Sequence, residues 1–297
     1  MLACTRSCNP LQGHHLDMSR FDSAWRKWHR AGVHAEALKA CLRGSTKPFV
    51  NPSVESKFDP RSMCIVLRIS EIGPLPVEWS LDLGDAISNY RAALDHLAWA
   101  VVQRGTRAGT LSPKEEKLVY YPIASTDDVF EQQIKTRVPG ATPEDLAILR
   151  RYQPGVAVKT HCLKALVYCS NLDKHRALQP MPLWVAQSQL TVKHLVDCEL
   201  IKTGMSTIST KPLRPGAEIG RLAVRATGPH PRAFMDGRFY LDVSIKGKIF
   251  VRKWLNEMGR FAGAVLAEFA DPPKGVLYVS PVERAAVKGI GDEAPES

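Results

Sequence analysis

No stretch of this 297-residue chain approaches the roughly 18–20 consecutive apolar residues that a membrane-spanning helix needs. The first residues, Met1 to Asp17, lack the basic-then-apolar order of a secretory signal. A cytoplasmic protein with no membrane partner is the expectation. Cysteine is sparse, and its count of seven is odd, which argues against a disulfide framework. Cys64, Cys162, Cys169 and Cys198 sit among apolar neighbours and suit buried free thiols. Cys4, Cys8, His14 and His15 cluster without the spacing of a closed tetrahedral zinc site, so neither metal nor cofactor is expected. Acidic residues are short by ten against Lys and Arg, leaving a net charge of +10. That excess favours polyanions such as RNA, although a solvated basic helix face reads the same way.

What is present is a globular composition, 44% hydrophobic and 24% charged. Phe21, Trp25, Trp28, Ala35, Leu38 and Leu42 recur at three- and four-residue steps, predicting a helix over Ser19–Leu42. On that stripe the two tryptophans belong to a core rather than to a base-stacking platform. Residues 19–47 hold seven Lys and Arg against Asp22 and Glu36, half of the chain's cationic excess. Met63–Ile69 reads as a strand. The alternation of Val77, Trp79, Leu81 and Leu83 reads as a second, half-buried one. Gly84-Asp85 then marks the start of a helix reaching about Gln103, with Asp85 as its cap or first-turn acid. Shorter helices are expected over Asp127–Thr136 and from Thr142-Pro143, and a longer one over Ala157–Leu178. Strands follow over Leu190–Leu200, Ile219–Ala226 and Arg238–Ile245. A last helix carries Val251, Trp254, Leu255, Met258, Ala262, Val265, Leu266 and Phe269.

The layout predicts an α+β fold: a helical, bundle-like part and a small antiparallel sheet closed by a C-terminal helix. Residues 1–18 read as an extension outside the folded unit, with Met1 or Met18 as the start. Residues 19–182 read as the helical part with two strands, and 183–280 as the sheet and last helix, with both parts able to form one continuous domain. Residues 281–297 read as a flexible tail.

Two polar clusters interrupt the apolar helices. The first runs Gly84-Asp85-Ala-Ile-Ser-Asn89-Tyr-Arg91-Ala-Ala-Leu-Asp95-His96-Leu97, and the second Ser170-Asn171-Leu-Asp173-Lys174-His175-Arg176. Polar groups on a buried stripe need partners or a chemical task. At about 100° per residue, Asp85, Asn89, Ala92, His96 and Trp99 share one edge of a helix, and Arg91 points roughly 140° away from His96. Arg91 and Asp95, one turn apart, can pair. Lys174 lies on the apolar stripe of its own helix and calls for a carboxylate, for which Asp85 or Asp95 would serve. The simplest construction packs the two helices together.

These two segments resemble a group of uncharacterised bacterial proteins, many actinobacterial or phage-encoded. That group shares Gly-Asp-x-x-x-Asn-x-Arg-x-Ala-Leu-Asp-His-Leu followed much later by Asn-x-Asp-Lys-His-Arg. Arg91 and His96, with four residues between them, are also similar to the Arg-then-His helix motif of HEPN ribonucleases. The residue after the Arg, usually polar in that family, is Ala92 here. The HEPN resemblance implies metal-independent RNA cleavage across a homodimer, His96 activating the 2′-hydroxyl and Arg91 holding the phosphorane charge.

Three readings follow. In the first, Arg91, Asp95, His96 and His175 are catalytic residues of an RNA-cleaving enzyme, and Asp85, Asn89, Asn171, Asp173, Lys174 and Arg176 bind and orient. In the second, the same groups form a structural network in a non-catalytic binding or scaffold protein. In the third, Asp85, His96, Asp173 and His175 hold the metal of a hydrolase, with ligand types that suffice and spacing that is not diagnostic.

Overall fold

The computed structural model describes residues 20–47, 50, 52–105, 110–154, 161–175, 183–201, 212–245 and 249–278. The expectations for residues 1–18 and 281–297 lie outside them. The fold is α+β. Helix α1 (Asp22–Leu42) packs along helix α2 (Val77–Gly105), and α2 also meets α6 (His161–His175) and α7 (Val251–Ala267). Between α2 and α6 lie three short helices: α3 (Pro113–Glu116), α4 (Asp127–Arg137) and α5 (Pro143–Arg151). Thr142 and Asp145 form a reciprocal capping box at the start of α5, with Pro143 at its first position. Asp145 is buried and pairs with Arg104 at the end of α2. That guanidinium lies over the rings of Phe21 and Phe269.

The strands form two antiparallel sheets. One has the order β1 (Ser53–Asp59), β2 (Cys64–Glu71), β5 (Glu218–Ala226), β4 (Cys198–Leu200). The other has the order β3 (Leu183–Val196), β6 (Arg232–Ile245), β7 (Ile249–Phe250). Pairing of β2 with β5 joins chain from either side of residue 182 in one sheet. Strand β1 carries few apolar side chains, Val54 and Phe58, and left no alternation strong enough to read. It is an edge strand that gains its ladder from β2.

The strand expected at Val77–Leu83 is helix instead. Trp79 and Leu83 are buried, whereas Val77 and Leu81 are 66% and 63% exposed. Trp79 and Leu83 are four residues apart. With Ala86, Ile87, Tyr90 and Leu94 they continue one helical stripe inward. The apparent alternation was two helical core residues interleaved with two solvent-facing ones. Asp85 is therefore not a cap but an exposed residue in the helix interior.

Helix α7 approaches the rest closely through Gly259 and Gly263. A Cβ at Gly259 would lie 2.6 Å from the Tyr90 hydroxyl, and one at Gly263 would lie 2.6 Å from the Tyr278 ring. The Trp28 indole donates to the Gly259 carbonyl at 2.8 Å, and Trp25 donates to the Ala270 carbonyl at 3.1 Å. Both tryptophans pack on Tyr278, as a core role requires. At its start α7 has no side-chain cap of its own. Asp242 of β6 supplies one, accepting the Arg252 N–H at 3.2 Å. No helix among the described residues is long and apolar enough to cross a membrane.

Gly259→Ala should lower the free energy of unfolding. Overpacking against Tyr90 costs about 1–3 kcal/mol, more than the gain of up to about 1 kcal/mol in helix propensity. Urea denaturation measures the balance, and an unchanged or raised midpoint would mean that the helices can move apart freely.

Candidate functional site: two seams along one helix

The polar residues of α2 leave the helix on two separate edges. On one edge Arg91 and Asp95 form a two-point ion pair. Nε of Arg91 donates to Oδ2 of Asp95 at 3.1 Å, and Nη2 lies 2.9 Å from Oδ1. Both side chains are mostly buried, with 17% and 23% exposed. Asp95 also accepts the backbone N–H of Tyr121 at 3.0 Å. That contact begins a run of backbone groups bonded by side chains. Gln133 accepts the Ile123 N–H at 2.8 Å and donates to the Ile123 carbonyl at 2.9 Å. The buried Gln153 accepts the Ala124 N–H at 2.9 Å and donates to the Pro122 carbonyl at 3.1 Å. Residues 121–124 belong to no helix or strand, and three side chains supply the partners that a ladder would otherwise give. Tyr121 itself is buried. Its hydroxyl has no hydrogen-bond partner among the described residues, and burial pushes its ionisation far up.

The other edge of α2 runs antiparallel to one edge of α1. His96 Nδ1 lies 3.1 Å from the Ser23 hydroxyl, and His34 Nδ1 lies 3.1 Å from Asp82 and 3.8 Å from Asp85. Ser23, Lys27, Arg30 and His34 are spaced four, three and four residues apart, so Lys27 and Arg30 lie on the same edge of α1 between these two contacts. Arg20 extends the line and donates to the Gln103 carbonyl at 3.3 Å. Asn89 does not reach across; it donates to the carbonyl of Asp85 one turn back, at 2.8 Å. The seam is acidic around His34 and cationic around His96. Among the described residues, Arg20, Lys27 and Arg30 pair with no carboxylate. His96 is half-buried. Burial and the Lys27 ammonium hold its imidazole below the usual histidine range, against an opposing pull from Asp95.

The structure therefore separates Arg91 from His96 within one chain. Arg91 serves Asp95 and the 121–124 segment; His96 serves α1. Helix α6 packs against α2, so the helices bearing the two motifs do meet. Asn171 is exposed on α6. Asp173, Lys174 and His175 occupy its last turn, but their side chains lie outside the described residues, as does all of Arg176. No group of three His, Cys, Asp or Glu side chains among the described residues is placed to hold a metal. Ser23, Lys27, Tyr121, Gln133 and Gln153 were not read as site residues. Only the helical spacing from Ser23 to His34 carried a signal for any of them.

No family model, no curated protein and no solved structure matches the chain.

Asp95→Ala should cost about 1.5–3 kcal/mol, the range for a hydrogen bond to a charged group whose partners are left unpaired. Asp95→Asn, which keeps an acceptor for Tyr121, should cost less. Equal losses in urea unfolding would show that the backbone contact contributes nothing. A second expectation concerns pH. The unfolded chain protonates His96 near the ordinary histidine value of 6.5, and the folded chain only at lower pH. Over that interval the unfolded state binds more protons, so this group's contribution to stability is present above 6.5 and lost as pH falls through the folded value. His96→Gln should flatten the fall of Tm between about pH 7 and pH 5; an unaltered slope would place the effect elsewhere.

Proposed function

We propose that this protein binds a polyanion, RNA in the first instance, along the cationic half of the α1–α2 seam. The observation that supports this most is the run of Arg20, Lys27 and Arg30 beside His96 without carboxylate partners among the described residues. Cations left unpaired on one edge are free to take phosphate oxygens, releasing counterions as they do so. A neutral imidazole beside Lys27 gains a proton readily when a phosphate arrives, because the anion offsets the repulsion that holds it neutral. On this reading Arg91 and Asp95 belong to the fold, as the structural-network reading holds, and they do not touch the ligand.

A second reading, metal-independent RNA cleavage, is favoured by one feature. The imidazole of His96 is held in its neutral form, the state that accepts a proton from a ribose 2′-hydroxyl. The resulting oxyanion attacks the adjacent phosphorus, the P–O5′ bond breaks with the 5′-oxygen taking a proton from water, and a 2′,3′-cyclic phosphate remains. Lys27, rather than the same chain's Arg91, is the cation near enough to act on this imidazole. A homodimer, as the HEPN resemblance implies, would be the route by which an Arg91 joins such a site.

Fluorescence anisotropy of a labelled RNA against salt concentration tests the binding reading. Lys27→Ala and Arg30→Ala should each weaken binding and reduce the slope of log K on log salt by about one. Affinity and slope unchanged in both variants would remove the seam from the interface. Incubation with RNA in chelator tests the second reading. His96→Ala should abolish cleavage while retaining binding within a few-fold, and an intact wild-type substrate after long incubation would end the enzyme reading.

A further inference from the structure

The long β3–β6 ribbon has one face turned inward. Ala233 is buried, and its carbonyl accepts the Ser56 hydroxyl of β1 at 2.8 Å. The neighbouring residues in β6, Arg232 and Phe234, point the other way and are exposed. The register places His194 opposite Phe234 and Val196 opposite Arg232, so these four side chains share one face. Phe234 is 53% exposed, a large apolar area for a side chain with no burial requirement. The His194 imidazole, also exposed, lies with its ring centroid 6.0 Å from that of Phe234 and its plane tilted by 31°. The pair offers aromatic surface to solvent. Arg232 stands one pleat away, and His230 is exposed at the turn before it. The acid next to this patch in the chain, Asp197, is turned onto the backbone N–H of His230 at 2.9 Å.

A flat aromatic surface edged by a guanidinium and imidazoles suits a planar ring attached to phosphate. It does not suit an aliphatic partner, and it gives an acidic peptide no use for the rings. We propose that the exposed face of β3–β6 is a base-stacking platform for single-stranded nucleic acid. An unpaired base lies on Phe234 and His194, and the adjoining phosphate meets Arg232. This rests on the reading that the chain binds a nucleic-acid polyanion, and it deepens that reading from any polyanion to one with unstacked bases. A duplex keeps its bases stacked internally and presents none to such a face.

The test compares two probes on the full chain: a labelled ten-nucleotide oligouridine and inorganic polyphosphate of similar charge. Phe234→Ala removes an exposed side chain, so the fold should survive, and an unchanged Tm checks this. Oligouridine binding should weaken about 5- to 100-fold, the range found for losing one base–aromatic stack, while polyphosphate binding stays within two-fold. His194→Ala should act in the same direction. Arg232→Ala should instead lower the salt slope for oligouridine by about one. Equal losses for both probes in Phe234→Ala, or no loss for oligouridine, would overturn the platform. So would a change confined to oligomeric state, which would make this face a contact between copies of the chain. If polyphosphate binds and responds to Lys27→Ala while oligouridine ignores Phe234, this inference fails alone. If wild-type protein binds neither probe, the polyanion reading fails with it.

Discussion

Helix α2 is enclosed by α1, α6 and α7, and that enclosure constrains most of what else the molecule does. A helix covered on so wide an arc can carry polar side chains only along the edges where one neighbour ends and the next begins. Asp85, Asn89 and His96 occupy the edge shared with α1. Arg91 and Asp95 occupy the other, where the 121–124 segment meets the helix through Tyr121. The two polar edges thus have different occupations from the outset. One is filled by protein and satisfies backbone groups that lack a sheet. The other borders a basic helix whose Arg20, Lys27 and Arg30 meet no carboxylate among the described residues.

The division explains why a motif that reads as a single unit in sequence does two separate jobs in space. Arg91 and His96 are five residues apart, close to a turn and a half, which sends them to different edges of a regular helix. The ion pair closes the 121–124 segment, and its partial burial makes it effective despite the generally small worth of exposed pairs. Among the described residues, His96 bonds through Nδ1 to the Ser23 hydroxyl on α1. Its protonation is then left to respond to whatever charge approaches Lys27.

Much of the fold was legible in the residues because its helices carry strong periodicity. The stripe from Phe21 to Leu42 gave α1, and the stripe from Val251 to Phe269 gave α7 close to its observed limits. Thr142-Pro143 gave the start of α5, since capping is a local interaction written in adjacent residues. The failures have physical causes. Val77 to Leu83 is too short a window to separate a period of two from residues spaced by four. Strand β1 is stabilised by its neighbour rather than by its own composition. Within the candidate site, the Arg91–Asp95 pair followed from helical spacing. Its link to Tyr121, and the roles of Gln133 and Gln153, depend on contacts between distant segments that no local pattern encodes. Phe234 gave no sequence signal at all, since one aromatic in a strand is ordinarily a core residue.

The docking of Trp25 and Trp28 against Gly259, Ala270 and Tyr278 has a consequence for how the chain reaches this structure. The indole of Trp25 bonds a carbonyl 245 positions later in the chain. A ribosome adding residues one at a time must leave the α7-facing side of α1 uncovered until α7 emerges. Such long-range contacts slow folding and lengthen the life of sticky intermediates. A chain shortened by its final thirty residues would keep α7 but lose Ala270, which the Trp25 indole bonds, and Tyr278, on which both indoles pack.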